Sequence, residues 1–223
     1  MRAGVKHERL STRTERALTL VEVLIILASL AILVAILVPR VSNRPVSSRL
    51  GCANNLKQIG LSFRTWAIDN DNRSPVQVSV TNGGTMELTG DGLVFPHFQV
   101  MSNELSTPRI LVCPNDDQRT NATRFASIFS DQNISYFLNV DAIPDNGSNL
   151  LCGDRNLTNQ RSAGSRFVSL SNSTAIGWTR EIHSKRGNLC FGDGRVELDP
   201  VRNGGPRSIA RLPEGVTNRL AIP

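Results

Sequence analysis

The residues with chemistry to offer in this 223-residue chain are three histidines, four cysteines and a scatter of aspartates. His183 is followed by nine residues and then Asp193-Gly194. An imidazole and a carboxylate at that spacing could share a metal ion or form a hydrogen-bonded pair that fixes a hairpin. Asp193 is equally a turn residue whose carboxylate caps local backbone amides. Asp116, Asp117, Asp154, Asp193 and Asp199 could supply oxygen ligands to Ca²⁺, although no segment follows the spacing of an EF-hand loop. No other cofactor is implied.

Cys52, Cys113, Cys152 and Cys190 allow three complete pairings, and their spacing chooses none of them. They could be one or two disulfides in an oxidising compartment, or buried thiols. The absence of a C-x-x-C argues against a zinc ribbon and against thioredoxin-like chemistry. Nucleophilic hydrolysis has little to build on: there is no G-x-S-x-G, and a triad would have to use His97 or His183, since His7 lies in the N-terminal basic stretch. The residues point to a chain that is not an enzyme.

The elements that must position these groups begin with a concentrated apolar block. Leu18–Val38 is 21 residues long, and only Thr19, Glu22 and Ser29 in it are not apolar. As a helix it would reach about 32 Å, the length of a single membrane span. Outside it the apolar content falls to about 34%, which suits a modest extramembrane domain and excludes a multi-span protein. Residues 1–17 carry Arg2, Lys6, Arg9, Arg13 and Arg16 against Glu8 and Glu15, but Arg40, Arg44, Arg49 and Lys57 follow the block, so charge decides little. The N-terminus is expected inside because the leader is short and the large domain lies downstream. The remaining basic residues are scattered and nearly all Arg, without interleaved aromatics, and no nucleic-acid partner is expected. Glu22 is the odd residue of the block. It either snorkels from the end of the span or meets a positive partner there, such as a free α-amino group.

Arg16-Ala17-Leu18-Thr19-Leu20-Val21-Glu22 resembles the processing motif of type IV prepilins and type II secretion pseudopilins. The resemblance implies cutting between Ala17 and Leu18 by a prepilin peptidase, followed by N-methylation of Leu18. Glu22 then becomes the fifth mature residue, which in that family pairs with a neighbouring subunit's N-terminus. Two departures are that Ala17 replaces the usual Gly and Leu18 the usual Phe. Pro39 falls where pilin helices often kink.

Past Pro39 and Pro45, apolar residues recur at Val46, Leu50, Ala53, Leu56, Gly60, Phe63 and Ala67, the spacing of an amphipathic helix. The pattern stops at Asp69-Asn70-Asp71-Asn72. Short β-prone runs follow: Val76–Val80, Leu93–Val100, Ile110–Cys113, Ile134–Val140, Arg166–Leu170, Thr174–Trp178 and Leu189–Leu198, with a short helix over Asn121–Ser130. Gly192-Asp193-Gly194 reads as the turn of a hairpin. His183-x9-Asp193-Gly194 resembles the signature of a bacterial prepilin-like family named for that motif. Asn54–Gly60, Cys113–Asp116, Ser135–Asn139 and Gly153–Asn156 match it in order.

The expected fold is therefore α+β, a long N-terminal helix packed on an antiparallel sheet head, as in type IV pilins. Its parts are a leader over residues 1–17, a transmembrane helix over 18–38, an amphipathic continuation over 39–72 and a β-rich head over 73–223. What the resemblance implies is a subunit assembled into a pseudopilus or fibre of a protein-secretion or pilus-like system. Its partners would be prepilin peptidase, other pilin-like subunits, an inner-membrane assembly platform and the lipid bilayer. Its place would be the bacterial inner membrane, single-pass, with the head in the periplasm or at the cell surface after assembly. The alternative is a membrane-anchored binding module or metal-dependent enzyme built on the His183–Asp193 region.

Overall fold

The computed structural model describes residues 19–37, 44–158, 166–170, 175–199, 207–208 and 218–223. They divide into two units, residues 1–42 and 43–223. The first contains α1 (Leu20–Leu37), and the second holds the rest.

The expected long N-terminal helix packed on the sheet is not what the chain forms. Helix α1 stands in its own unit with its described side chains exposed, and a separate helix, α2 (Arg44–Ile68), carries the packing. The membrane span is corrected with it. Among the described residues no helix is long and apolar enough to cross a membrane. The 18 residues of α1 rise about 27 Å, short of the roughly 30 Å hydrocarbon core. That finding overturns the single-pass, inner-membrane placement and the periplasmic location that depended on it.

In the second unit the α+β class is present in another form. Eight strands are described: β1 (Tyr136–Asn139), β2 (Leu150–Asp154), β3 (Phe167–Leu170), β4 (Ala175–Ile176), β5 (Gly187–Phe191), β6 (Val196–Asp199), β7 (Arg207–Ser208) and β8 (Asn218–Ala221). Six make one antiparallel sheet in the order β3-β8-β1-β2-β5-β6, and β4 pairs with β7. Along β1, Tyr136 and Leu138 enter one apolar cluster while Phe137 enters another. That alternation is the two-residue period of a strand, here buried on both faces.

Helix α2 covers the first face. Cys52, Ala53, Leu56, Ile59, Phe63, Trp66 and Ala67 are buried, in steps of three and four, while Leu50 is exposed. The helix lies across β2, β5 and β6. Gly60 permits the approach: a Cβ there would sit 2.8 Å from Cys190 Sγ and 3.3 Å from Gly194 Cα. On the other face Phe137, Leu150, Val168, Leu189 and Leu220 pack with Leu157 and Trp178, whose backbones form an isolated bridge.

Three expected strands are instead helical turns. Residues 76–80 run from the 3₁₀ turn Pro75–Gln77 into the 3₁₀ turn Val80–Asn82, 93–100 contain helix α3 (Phe95–Gln99), and 110–113 begin inside the 3₁₀ turn Pro108–Leu111. Each of Pro75, Pro96 and Pro108 sits in a first turn, where its fixed φ and missing N–H favour helix entry. No helix forms over Asn121–Ser130; a 3₁₀ turn follows at Asp131–Asn133.

Candidate functional sites

The first candidate is the start of α1. Glu22 Oε2 accepts from the Thr19 N–H at 2.8 Å and from the Thr19 Oγ1 hydroxyl at 3.0 Å, while Glu22 N–H donates back to Thr19 Oγ1 at 3.3 Å. This is the reciprocal arrangement of a capping box, and Thr-x-x-Glu before an apolar run is its sequence signal. It satisfies helix-end donors that have no partner inside the helix. Ala17 and Leu18 lie outside the described residues. Downstream, Leu20, Val21, Ile25 and Ile32 are among the residues of α1 more than half exposed. Apolar side chains on every face of a helix call for a partner that surrounds it.

The second candidate is a buried polar cluster around His183. Cys52 comes from α2, Cys113 from the segment after the Pro108 turn, Asp154 from the end of β2 and Asn188 from β5. His183 ends a turn in which Ser184 and Lys185 both have positive φ, and Lys185 N–H donates to Thr179 O. Two non-glycine residues in the left-handed region cost of order 1–3 kcal/mol each, a cost borne where the surrounding structure fixes the turn. The turn directs the imidazole inward.

Cys52 and Cys113 form a disulfide, with Cα atoms 5.1 Å apart. Cys152 and Cys190 are free and buried, and they face each other across β2 and β5. Burial pushes the Cys152 thiol well up from its ordinary range. His183 Nε2 lies 3.4 Å from Cys113 Sγ and 3.5 Å from Asp154 Oδ2; Nδ1 lies 3.4 Å from Asn115 Nδ2. Asn115 also donates to Ile182 O.

Desolvation sets the charge of this cluster. It lowers the His183 pKa to about 4, helped by Arg49 and opposed by Asp116, and it raises that of Asp154 to about 8. Hydrogen bonds from Asn188 N–H and Nδ2 to Asp154 Oδ2, and the charge of Arg49, oppose that rise without cancelling it. At pH 7 the two are therefore a neutral imidazole beside a largely protonated carboxyl, although their separation alone would suggest an ion pair. Asp154 Oδ1 is buried and has no hydrogen-bond partner. Beside them Arg155 grips Asp116 through Nε and an Nη, both at 2.8 Å.

Asp193 is elsewhere. Strand β5 separates it from His183 by about 17 Å of extended chain. Asp193 Oδ1 accepts from Arg195 N–H at 2.9 Å, Gly194 N–H donates to Phe191 O, and Gly194 has φ +80°. The motif thus marks the two ends of the hairpin's first strand, with Asp193-Gly194 as its turn. The aspartates named for Ca²⁺ are likewise not gathered: Asp116 is held by Arg155, Asp154 is buried on Asn188, Asp193 serves its turn and Asp117 is exposed. Among the described residues, Cys52, Cys113 and His183 are the one group of three potential metal ligands. His97, the other core histidine, is buried against Thr85 Oγ1 at 2.7 Å, and desolvation lowers its pKa to about 4.

The links of His183 to Cys52, Cys113 and Asp154 could not be read in the sequence, because they join separate elements of the fold, 70 residues apart in the case of Cys113. Glu22 was read without its partner Thr19, although that signal was local. No known family, curated protein or solved structure matches the chain.

Proposed function

We propose that the chain is a pilin-like structural subunit that joins other copies through α1 and does no covalent chemistry. The observation that supports this reading is the exposure, on every face, of the described side chains of the apolar helix α1, residues 20–34, capped by Thr19 and Glu22. In a bundle of like helices those side chains would leave water together, and apolar burial is worth about 25 cal/mol per Å². Cutting between Ala17 and Leu18 by a prepilin peptidase belongs to the same reading. It would create an α-amino group that a neighbour's Glu22 could neutralise in a low-dielectric bundle, where an unpaired charge is costly.

The test is recovery of untagged subunits with a tagged one, using Glu22→Gln and Glu22→Ala. Gln can still accept from Thr19 and keep the capping box, but it carries no charge. Charge pairing predicts that both variants lose most co-recovery. Full recovery with Gln and loss with Ala would assign Glu22 to capping alone, and unchanged recovery with both would end the pairing claim. A binding or metal-dependent role centred on His183 has less support as an open site, because His183 and Asp154 are buried in the head.

A further inference from the structure

Cys52 Sγ, Cys113 Sγ and a ring nitrogen of His183 all lie within 4.8 Å of one another in the buried core. In a tetrahedral zinc site with bonds of about 2.3 Å to sulfur and 2.0 Å to nitrogen, ligand atoms are about 3.5 Å apart. The 3.4 Å between Cys113 Sγ and His183 Nε2 already has that value. The Cα separation of 5.1 Å leaves room for the two sulfurs, once unbonded, to part by side-chain rotation.

The surroundings are those of a ligand set. Asn115 Nδ2 faces the Nδ1 side of the ring at 3.4 Å. An imidazole bound to metal through Nε2 carries its proton on Nδ1, so the Asn115 amide would turn its oxygen to the ring to accept it. Asp154 Oδ2 lies 3.5 Å from Nε2, so a carboxyl group borders the three ligands, and its second oxygen has no hydrogen-bond partner. Arg49 is the adverse charge. It is not neutralised, but two thiolates leave a bound divalent ion with no net charge for it to repel.

We propose that Cys52, Cys113 and His183 form a redox-gated site for a thiophilic divalent cation, closed as the disulfide and opened by reduction. An external dithiol delivers two electrons and two protons to the Cys52–Cys113 bond and itself closes to a disulfide. The cation then displaces both thiol protons to solvent and takes the two sulfurs and the imidazole nitrogen.

The probe is zinc, with cobalt(II) for spectroscopy, on the full chain. Protein reduced with a trialkylphosphine under argon is expected to retain one zinc per chain after gel filtration, at least tenfold more than the disulfide form. Cobalt is expected to give a sulfur-to-metal charge-transfer band that weakens in His183→Asn and persists in the double variant Cys152→Ser/Cys190→Ser. If reduction loosens the core, zinc is expected to restore the near-ultraviolet circular dichroism, and failure to restore it would contradict the site. Equal zinc in both redox forms, or zinc kept by Cys52→Ser/Cys113→Ser and lost on removing Cys152 and Cys190, would overturn the assignment. None of these outcomes bears on assembly through α1, so the two readings stand or fall separately.

Discussion

Replacing Asp154 by Asn in the disulfide-bonded, metal-free protein should flatten the alkaline side of its stability curve. In the folded chain burial raises the Asp154 pKa from 3.8 to about 8. Between those values the native state keeps a proton that the unfolded chain has lost, so stability falls as pH rises toward 8. His183 and His97 act oppositely: their pKa values drop from 6.5 to about 4, which makes stability rise with pH between 4 and 6.5. Above 6.5 both histidines are neutral in the folded chain but lose their remaining half proton each in the unfolded one, which adds back about 0.8 kcal/mol by pH 8. For Asp154 the remaining window of about 1.5 units, at 1.36 kcal/mol each, amounts to about 2 kcal/mol. The assay is urea unfolding at pH 6.5, 7.2 and 8.0. The wild-type should lose about 1 kcal/mol net across this range, and the gap between it and Asp154→Asn, in which the histidines cancel, should change by about 2 kcal/mol. Parallel curves for the two proteins would refute the burial of a protonated Asp154.

Further outcomes concern the packing around the same cluster. Cys52 and Cys113 close a loop of 61 residues, so the double variant Cys52→Ser/Cys113→Ser should lose about 4 kcal/mol by loop entropy, seen as a lower urea midpoint. Arg155→Ala strands the buried Asp116 carboxylate and should cost about 3–5 kcal/mol, whereas Glu181→Ala, which removes an exposed partner of the same arginine, should cost under about 1 kcal/mol. Gly60→Ala gains about 1 kcal/mol of helix propensity but drives a methyl into Cys190 Sγ and the Gly194 backbone, at about 1–3 kcal/mol. A higher melting temperature in that variant would show that α2 does not sit so close to the hairpin.

How much was legible depended on the range of each signal. The β5–β6 hairpin could be read because Gly192-Asp193-Gly194 sets the turn within the segment that pairs, Cys190 opposite Val196. The buried face of α2 could be read from Ala53 onward, because helical period is local. Strand β8 could not: Asn218–Ala221 is four residues long, and it earns its place only by lying between β3 and β1, with partners some 50 and 80 residues away. Strand β2 was hidden by Gly153, a weak strand former that here lies between Asn188 and the Phe137 ring. The prolines at 75, 96 and 108 overrode β-prone neighbours. In the site, each residue type was visible, but the His183–Cys113 contact spans 70 residues and no spacing rule reaches that far. A pairing of His183 with Asp193, one of the uses open to the two residues, would take nearness in sequence for nearness in space, and a five-residue strand lies between them.

The central claim is that α1 is an assembly element, and electron cryomicroscopy of assembled full-length chain tests it most directly. Copies related by a regular repeat are expected, with the α1 helices of neighbouring copies packed on one another. Density in which the copies touch only through residues 43–223, with α1 still surrounded by solvent, would contradict it.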